Sequence, residues 1–352
     1  MRFLLAGGGT AGHVNPLLAT ADKLADEGHQ LAVLGTKEGL ESRLVPERGH
    51  QLLIIPKLPF PRKLSLAAIT FPFRLLSSAL KLQKNLSGVD AVIGFGGYVS
   101  APAYLAAWIS KTPLVIHEAN ALPGMANKLG KKFTKYLASS FPNDGLGGKV
   151  IGVPLREEIV QASSYDIQQA RVELGLDPAK PVLLVTGGSQ GARKINQVVM
   201  QAVERFKAAG VQVYHIAGAN SGEAEKISAG YVRVGYCNRM ELAIRASDFA
   251  ISRAGAASVS EFSALGLPAL FIPYPVGNGE QRHNVAHLIA AEASIMVDDK
   301  DFSVDYLDSE VIPILSSSKK LSEMSQQMTK FAKLDATEKL VDMALEAAND
   351  KS

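Results

Sequence analysis

Short apolar runs alternate with helical patterns along the chain. "RFLLAG" (2–7) reads as a buried strand, and "PLLATADKLADEG" (16–28) as an amphipathic helix that stops at Gly28. "QLAVLGT" (30–36), "DAVIGFGG" (90–97) and "TPLVIHEAN" (112–120) follow as strands, the last two separated by the helical "APAYLAAWISK" (101–111). Strands alternating with helices predict right-handed βαβ units and a parallel sheet. The pattern restarts at 180–210 with strand, glycine turn and helix. Further strands are predicted at 211–218, 231–236, 248–255 and 268–275. Two open α/β units in tandem result, with a boundary near 151–159. A last amphipathic helix, 334–350, is predicted to cross back onto the first unit. Ligands of open α/β sheets bind beyond the carboxyl ends of the strands, so two such sheets predict a ligand cleft between the domains.

Composition adds limits. Of 352 residues, 47% are hydrophobic and 20% charged, the profile of a globular protein with real cores. One cysteine, Cys237, excludes a disulfide framework and a multi-cysteine zinc site. A net charge of +3 is too small to argue for nucleic acid, yet does not oppose an anionic membrane surface. The start lacks a signal-peptide pattern, and no apolar run is long enough to span a bilayer, so a cytoplasmic or peripheral membrane protein is expected.

Candidate chemistry gathers after the strands. "AGGGTAGHVNP" (6–16) fits G-x-G-x-x-G through Gly7, Gly9 and Gly12. A dinucleotide site also wants an acid at the tip of the second strand. That strand ends at Gly35 and Thr36, with Glu38 two residues late, which disfavours NAD or FAD. His13 follows the last glycine at a helix start that Pro16 is expected to fix. The positive end of the helix dipole lowers its proton affinity, and a neutral imidazole there can act as a base. "GFGGYVSAP" offers Tyr98. "HEANALPGMANK" offers His117, Glu118, Asn120 and Asn127, amides and carboxylates suited to a hydroxyl-rich acceptor. "GGSQGARKINQ" (187–197) looks like a second phosphate-cradling turn without a Walker lysine. Glu261 sits in a helix with a collar of small residues, and Gln281 and Asn284 share a later helix face. Asp299 and Asp301 form a D-x-D in a charged loop, a weak candidate for metal. The stretch 61–84 differs in kind: Leu64, Leu66, Ile69, Phe71, Phe73, Leu75, Leu76 and Leu80 are ringed by Arg62, Lys63, Arg74, Lys81 and Lys84, without an acid. Such a segment either packs on the sheet with a solvated cationic edge or lies on a membrane interface.

In order and spacing, "GGGTAGHVNP", "GFGGYVSAP", "HEANALPGMANK", "GGSQGARKINQ" and "SRAGAASVSE…GLPALFIPYP…EQRHNVA" resemble the MurG family. These are the bacterial N-acetylglucosaminyltransferases that make lipid II for peptidoglycan. The resemblance spans nearly the whole chain and implies the α/β GT-B fold, two Rossmann-like domains facing across a cleft. It implies an acceptor and membrane-facing domain at 1–155, with the helix 335–352 packing back on it, and a UDP-GlcNAc domain at 156–334. Implied acceptor contacts are Thr10, Tyr98, His117, Glu118 and Asn127. Implied donor contacts are Thr10, Ala11, Gly12, His13, Asn120, Arg156, Ser189, Met240, Glu261 and Gln281, and Asn196 and Arg253 also match family positions. Leu66, Ile69, Phe71, Phe73 and Arg74 become the implied membrane contact.

Three positions depart from the family pattern: Ala11 replaces a glycine, Glu280-Gln281 a pair of glutamines, and Asn238-Arg239 an acidic pair. The resemblance implies an inverting transfer, with His13 as base and Glu118 as runner-up. It implies UDP-GlcNAc as a substrate and no cofactor, a divalent metal not being required. The implied partners are lipid I, the anionic inner leaflet at the cytoplasmic face of the plasma membrane, and other cell-wall enzymes. The rival classes are a nucleotide-binding sensor without transferase activity, a transferase of the same fold with another lipid or small-molecule acceptor, and a nicotinamide enzyme.

Overall fold

Strand β1 (Arg2–Ala6) is apolar at every position after the first because it is covered on both faces, as strands of a parallel sheet are. The computed structural model describes residues 1–61, 66–142, 145–219, 221–222 and 224–350, with backbone only at residues 66 and 67. Beside β1 lie β2 (Gln30–Gly35), β3 (Gln51–Ile54), β4 (Ala91–Gly94), β5 (Leu114–Glu118), β6 (Tyr136–Ser139) and β7 (Lys149–Val150). All pair in parallel, in the order β3-β2-β1-β4-β5-β6-β7. Helices α1 (Ala11–Asp26), α2 (Glu41–Glu47), α3 (Leu66–Gln83), α4 (Ser100–Ile109) and α5 (Met125–Gly130) connect these strands.

The second sheet contains β8 (Val182–Thr186), β9 (Gln212–Ile216), β10 (Lys226–Ser228), β11 (Tyr231–Val234), β12 (Phe249–Ser252), β13 (Ala269–Phe271) and β14 (Ile295–Met296). Its order is β10-β11-β9-β8-β12-β13-β14, parallel except for the antiparallel edge strand β10. Phe206, Phe249, Phe302 and Val199 fill its core.

The chain forms two compact units, Met1–Arg156 with Leu334–Ser352, and Glu157–Lys333. The C-terminal helix Ala336–Asn349 belongs to the first unit because its apolar face completes that core. Leu340, Val341, Ala344 and Ala347 are buried in one cluster with Leu17, Leu24 and Val115. Thr337 donates to the Leu155 carbonyl at 3.2 Å, and the Tyr136 hydroxyl donates to Asp350 at 2.6 Å.

The first glycine turn differs from expectation at one point. Helix α1 starts at Ala11, so Pro16 lies inside it. The His13 and Val14 amides both donate to the Thr10 carbonyl, closing the first turn five residues earlier than the proline suggests. The apolar pattern that marks this helix begins only at Pro16, because its first turn is spent on polar and small residues.

Candidate active site

His13 sits half-buried in the first turn of α1, and its Nδ1 lies 3.1 Å from the Thr10 hydroxyl. The Gly8 backbone raises the proton affinity of the ring. Desolvation lowers the proton affinity of His13 below the usual histidine value, opposed by the charges of Glu118 and Glu41. The imidazole is thus neutral near pH 7, with two carboxylates placed to stabilise it once it takes a proton.

Gly96 and Gly97, both at positive φ, bring the turn after β4 against this ring. A Cβ at Gly96 would lie 3.4 Å from His13 Nε2 and 3.3 Å from Asn127 Nδ2, so a side chain would crowd both. Tyr98 covers Gly9, where a Cβ would come within 2.6 Å of the Tyr98 hydroxyl. The Lys57 ammonium lies 4.9 Å from the centre of the Tyr98 ring, a cation–π contact at the mouth of the turn.

Glu118 ends β5 and is 2% exposed. One oxygen accepts from the Asn120 amide at 3.0 Å. The other accepts from the Gly124 amide at 2.8 Å and from Asn127 Nδ2 at 2.9 Å. A buried carboxylate with both oxygens so engaged fixes the 118–127 loop and acts on His13 as a charge.

Asn127 and His117 lie deeper. Asn127 is 1% exposed and fully used, accepting from the Tyr104 hydroxyl at 2.7 Å while donating to Glu118. His117 is fully buried, with Nε2 2.8 Å from the Gly152 carbonyl, and burial pushes it down to about 4. Both pack behind the turn that carries His13. The described structure brings Thr10, Ala11, Gly12, His13, Tyr98, Glu118 and Asn120 to the carboxyl ends of β1, β4 and β5.

The second unit repeats the strand–glycine–helix arrangement at Thr186–Arg193, with Ser189 half-buried in the turn. Here the glycines serve close backbone contact. A Cβ on Gly191 would strike the Ala217 carbonyl, and one on Gly218 would strike the Gly191 backbone. Asn196 Nδ2 ties the arrangement together by donating to the Ala217 carbonyl at 2.8 Å. Its Oδ1 lies 3.1 Å from Nε2 of buried His215.

Glu261 lies in the helix Ala256–Leu265, which follows β12, and is 8% exposed. Gln281 accepts from the Tyr274 amide at 2.9 Å, and Asn284 is buried with its Nδ2 on the Ala254 carbonyl. Arg253 contacts the Ile272 and Pro273 carbonyls and pairs with Asp299 at 2.6 Å, so half of the D-x-D is committed to this domain's own loop packing. Met240 opens the helix Met240–Arg245. Arg239 before it pairs with Glu173 at 2.7 Å and with Glu241 at 3.4 Å. Arg156 is half-buried at the end of the first unit.

Helix α3 presents Ile69, Phe73, Leu76 and Leu80 to solvent, one stripe at i, i+4, i+7 and i+11, with Ile69 70% and Phe73 74% exposed. Arg74 and Lys81 are exposed beside it. Phe71 instead turns inward onto Phe60, ring centres 4.9 Å apart. Arg62, Lys63 and Leu64 lie outside the described residues, as does the side chain of Leu66. Among the described residues, no helix is long and apolar enough to cross a membrane.

Sequence reasoning missed Glu41 and Lys57. For Glu41 the signal was its place two residues after Gly39 in a glycine-rich turn. For Lys57 there was none, since its contact with Tyr98 is tertiary.

Two parallel α/β units, each opening on a strand–glycine–helix turn, define the class of two-domain glycosyltransferases. The chain belongs to glycosyltransferase family 28: its N-terminal domain matches over residues 3–139 and its C-terminal domain over 182–340. A relative from Clavibacter sepedonicus is 48% identical over 352 residues, 98% of this chain and 96% of the relative. It is named UDP-N-acetylglucosamine--N-acetylmuramyl-(pentapeptide) pyrophosphoryl-undecaprenol N-acetylglucosamine transferase. The crystal structure of Acinetobacter baumannii MurG is similar with a TM-score of 0.78 at 26% identity, covering 98% of this chain and 99% of that one. The calicheamicin glycosyltransferase CalG4 shares the fold at a TM-score of 0.65 and 14% identity, covering 99% of this chain and 98% of its own.

Proposed function

We propose that this protein transfers GlcNAc from UDP-GlcNAc to the C4 hydroxyl of MurNAc in lipid I, forming lipid II. Near-full-length identity to a transferase of that name carries the reading. The first unit binds the acceptor and supplies the base. His13, neutral in its pocket, takes the C4 hydroxyl proton as the oxygen attacks C1 of GlcNAc from the side opposite UDP, so the configuration inverts. The imidazolium that forms is stabilised by Glu118 and Glu41, much as a buried acid supports the histidine of a catalytic triad.

The second unit binds the donor. Glu261 holds the ribose, Met240 lies at the uracil, and Gln281 reaches the sugar, its carbonyl oxygen held by the Tyr274 amide. Ser189, and Arg156 at the end of the first unit, lie at the diphosphate. The departing UDP carries negative charge, which Arg156 and the amino end of a helix stabilise electrostatically.

The stripe on α3 and its cations dock the first unit on the anionic inner leaflet, where a polyprenyl-linked acceptor resides.

The test is transfer onto purified lipid I with UDP-GlcNAc, UDP-GalNAc and UDP-Glc compared. UDP-GlcNAc is expected to exceed both others in kcat/KM. Equal use of the three donors, or transfer only onto a non-lipid acceptor, contradicts the reading.

A further inference from the structure

The place where a dinucleotide site needs a ribose-binding acid, between the first glycine turn and the tip of β2, is filled by Glu41. Its side chain is fully buried. One carboxylate oxygen accepts from the Gly9 amide at 2.9 Å, and the other accepts from the Thr36 amide and hydroxyl, each at 2.9 Å. Three glycines are fitted around it. A Cβ at Gly8 would come within 2.5 Å of Oε1, and Cβ atoms at Gly35 and Gly39 would also collide with this side chain. None of these three has a positive φ, so packing against Glu41, and not backbone conformation, accounts for the absent side chains. Thr10, the residue whose carbonyl closes the first turn of α1, directly follows Gly9.

We propose that Glu41 is a positioning residue for the transfer: it occupies the turn's own ribose-acid position, pins Gly9, and so fixes where Thr10 and His13 meet the acceptor. The same contact closes this turn to a nucleotide, because both carboxylate oxygens already face protein donors. The inference deepens the proposed function and rests on His13 being the base. The groups whose charge acts on His13 are Glu118, at the end of β5, and Glu41 itself. On the β3 side, Lys57 lies over the Tyr98 ring.

Glu41→Gln is the direct test. With its oxygen on Thr36, the new amide group faces the Gly9 N–H, donor against donor. A misplacement on this scale costs about 10–100-fold in kcat, while the KM for UDP-GlcNAc, bound in the second unit, stays within about two-fold. Loss of the negative charge also moves the acid limb of the kcat profile, and the His13 ring titration seen by NMR, to lower pH. Gly39→Ala displaces the carboxylate and keeps its charge, so it lowers kcat without moving the titration to that extent. If Glu41→Gln does not fold, Gly39→Ala carries the test.

Hydrogen exchange at the Gly9 amide, about tenfold faster in either variant, reads the pinning without any substrate. Unchanged kcat, or an unchanged Gly9 amide and His13 titration, in a folded variant overturns the proposal. A wild-type protein that fails to transfer overturns the functional reading instead, and the NMR and exchange results then still decide the role of Glu41.

Discussion

His13 owes its chemistry to its surroundings. Desolvation lowers its proton affinity, against the charges of Glu118 and Glu41. His13→Ala is therefore expected to lower kcat by about 10²–10⁴-fold with little change in the KM for UDP-GlcNAc, measured by UDP release and transfer together. Near-normal turnover would remove His13 from the mechanism. Two other histidines serve the fold. His117 and His215 are buried, one in each unit, and burial pushes both down to about 4. The unfolded chain binds protons at these sites as pH drops below about 6.5, while the native chain resists until about 4. Stability is therefore full above pH 7 and declines from about pH 6.5 to pH 4, by about 3 kcal/mol for each histidine. Urea midpoints measured across that range check this, and a flat profile would contradict it. At this scale the sequence was only partly legible. The run of His117, Glu118, Asn120 and Asn127 announces a polar site, but which of these atoms face one another depends on contacts with Tyr104 and Gly152, which are distant in the chain.

Elements were read best where burial is two-sided. β1, β4, β5, β8 and β12 are continuous apolar runs and stand out for that reason. The edge strands β3, β7, β10 and β14 are only two to four residues long and partly exposed, so their signal is shorter and weaker than that of the central strands. Helix α3 shows what composition leaves open. Its apolar residues divide between an inner face of Leu75, Ala79 and Leu82 and an outer stripe of Ile69, Phe73, Leu76 and Leu80, a division that only the helix phase sets. Phe73→Ser with Ile69→Ser is expected to weaken binding to anionic liposomes by about tenfold or more, at about 1.5 kcal/mol or more per buried large side chain, without lowering Tm. Phe71→Ser, by contrast, is expected to lower Tm through lost packing on Phe60. If the outer pair left liposome binding intact, the docking face would lie elsewhere. The C-terminal helix is an equally specific case. Leu340→Ala should cost about 2–5 kcal/mol, read as a drop in the urea midpoint of the first unit, because Leu340 is fully buried beside α1.

For the whole molecule, the repeat of strand, glycine turn and helix is the feature the sequence displays most openly, yet the two turns use their glycines differently. In the second unit Gly191 and Gly218 let two backbone segments touch. In the first, Gly8, Gly35 and Gly39 make room for a carboxylate, and a pattern that matches a dinucleotide site becomes the mount for a histidine. The chain belongs to glycosyltransferase family 28 and is 48% identical to a relative named as an N-acetylglucosamine transferase. The most direct measurement of the central claim is the anomeric configuration and linkage of the product formed from UDP-GlcNAc and lipid I, read by NMR after release of the disaccharide. The account predicts a β-linked GlcNAc on C4 of MurNAc. An α linkage, another ring position, or UDP release without sugar transfer would contradict it.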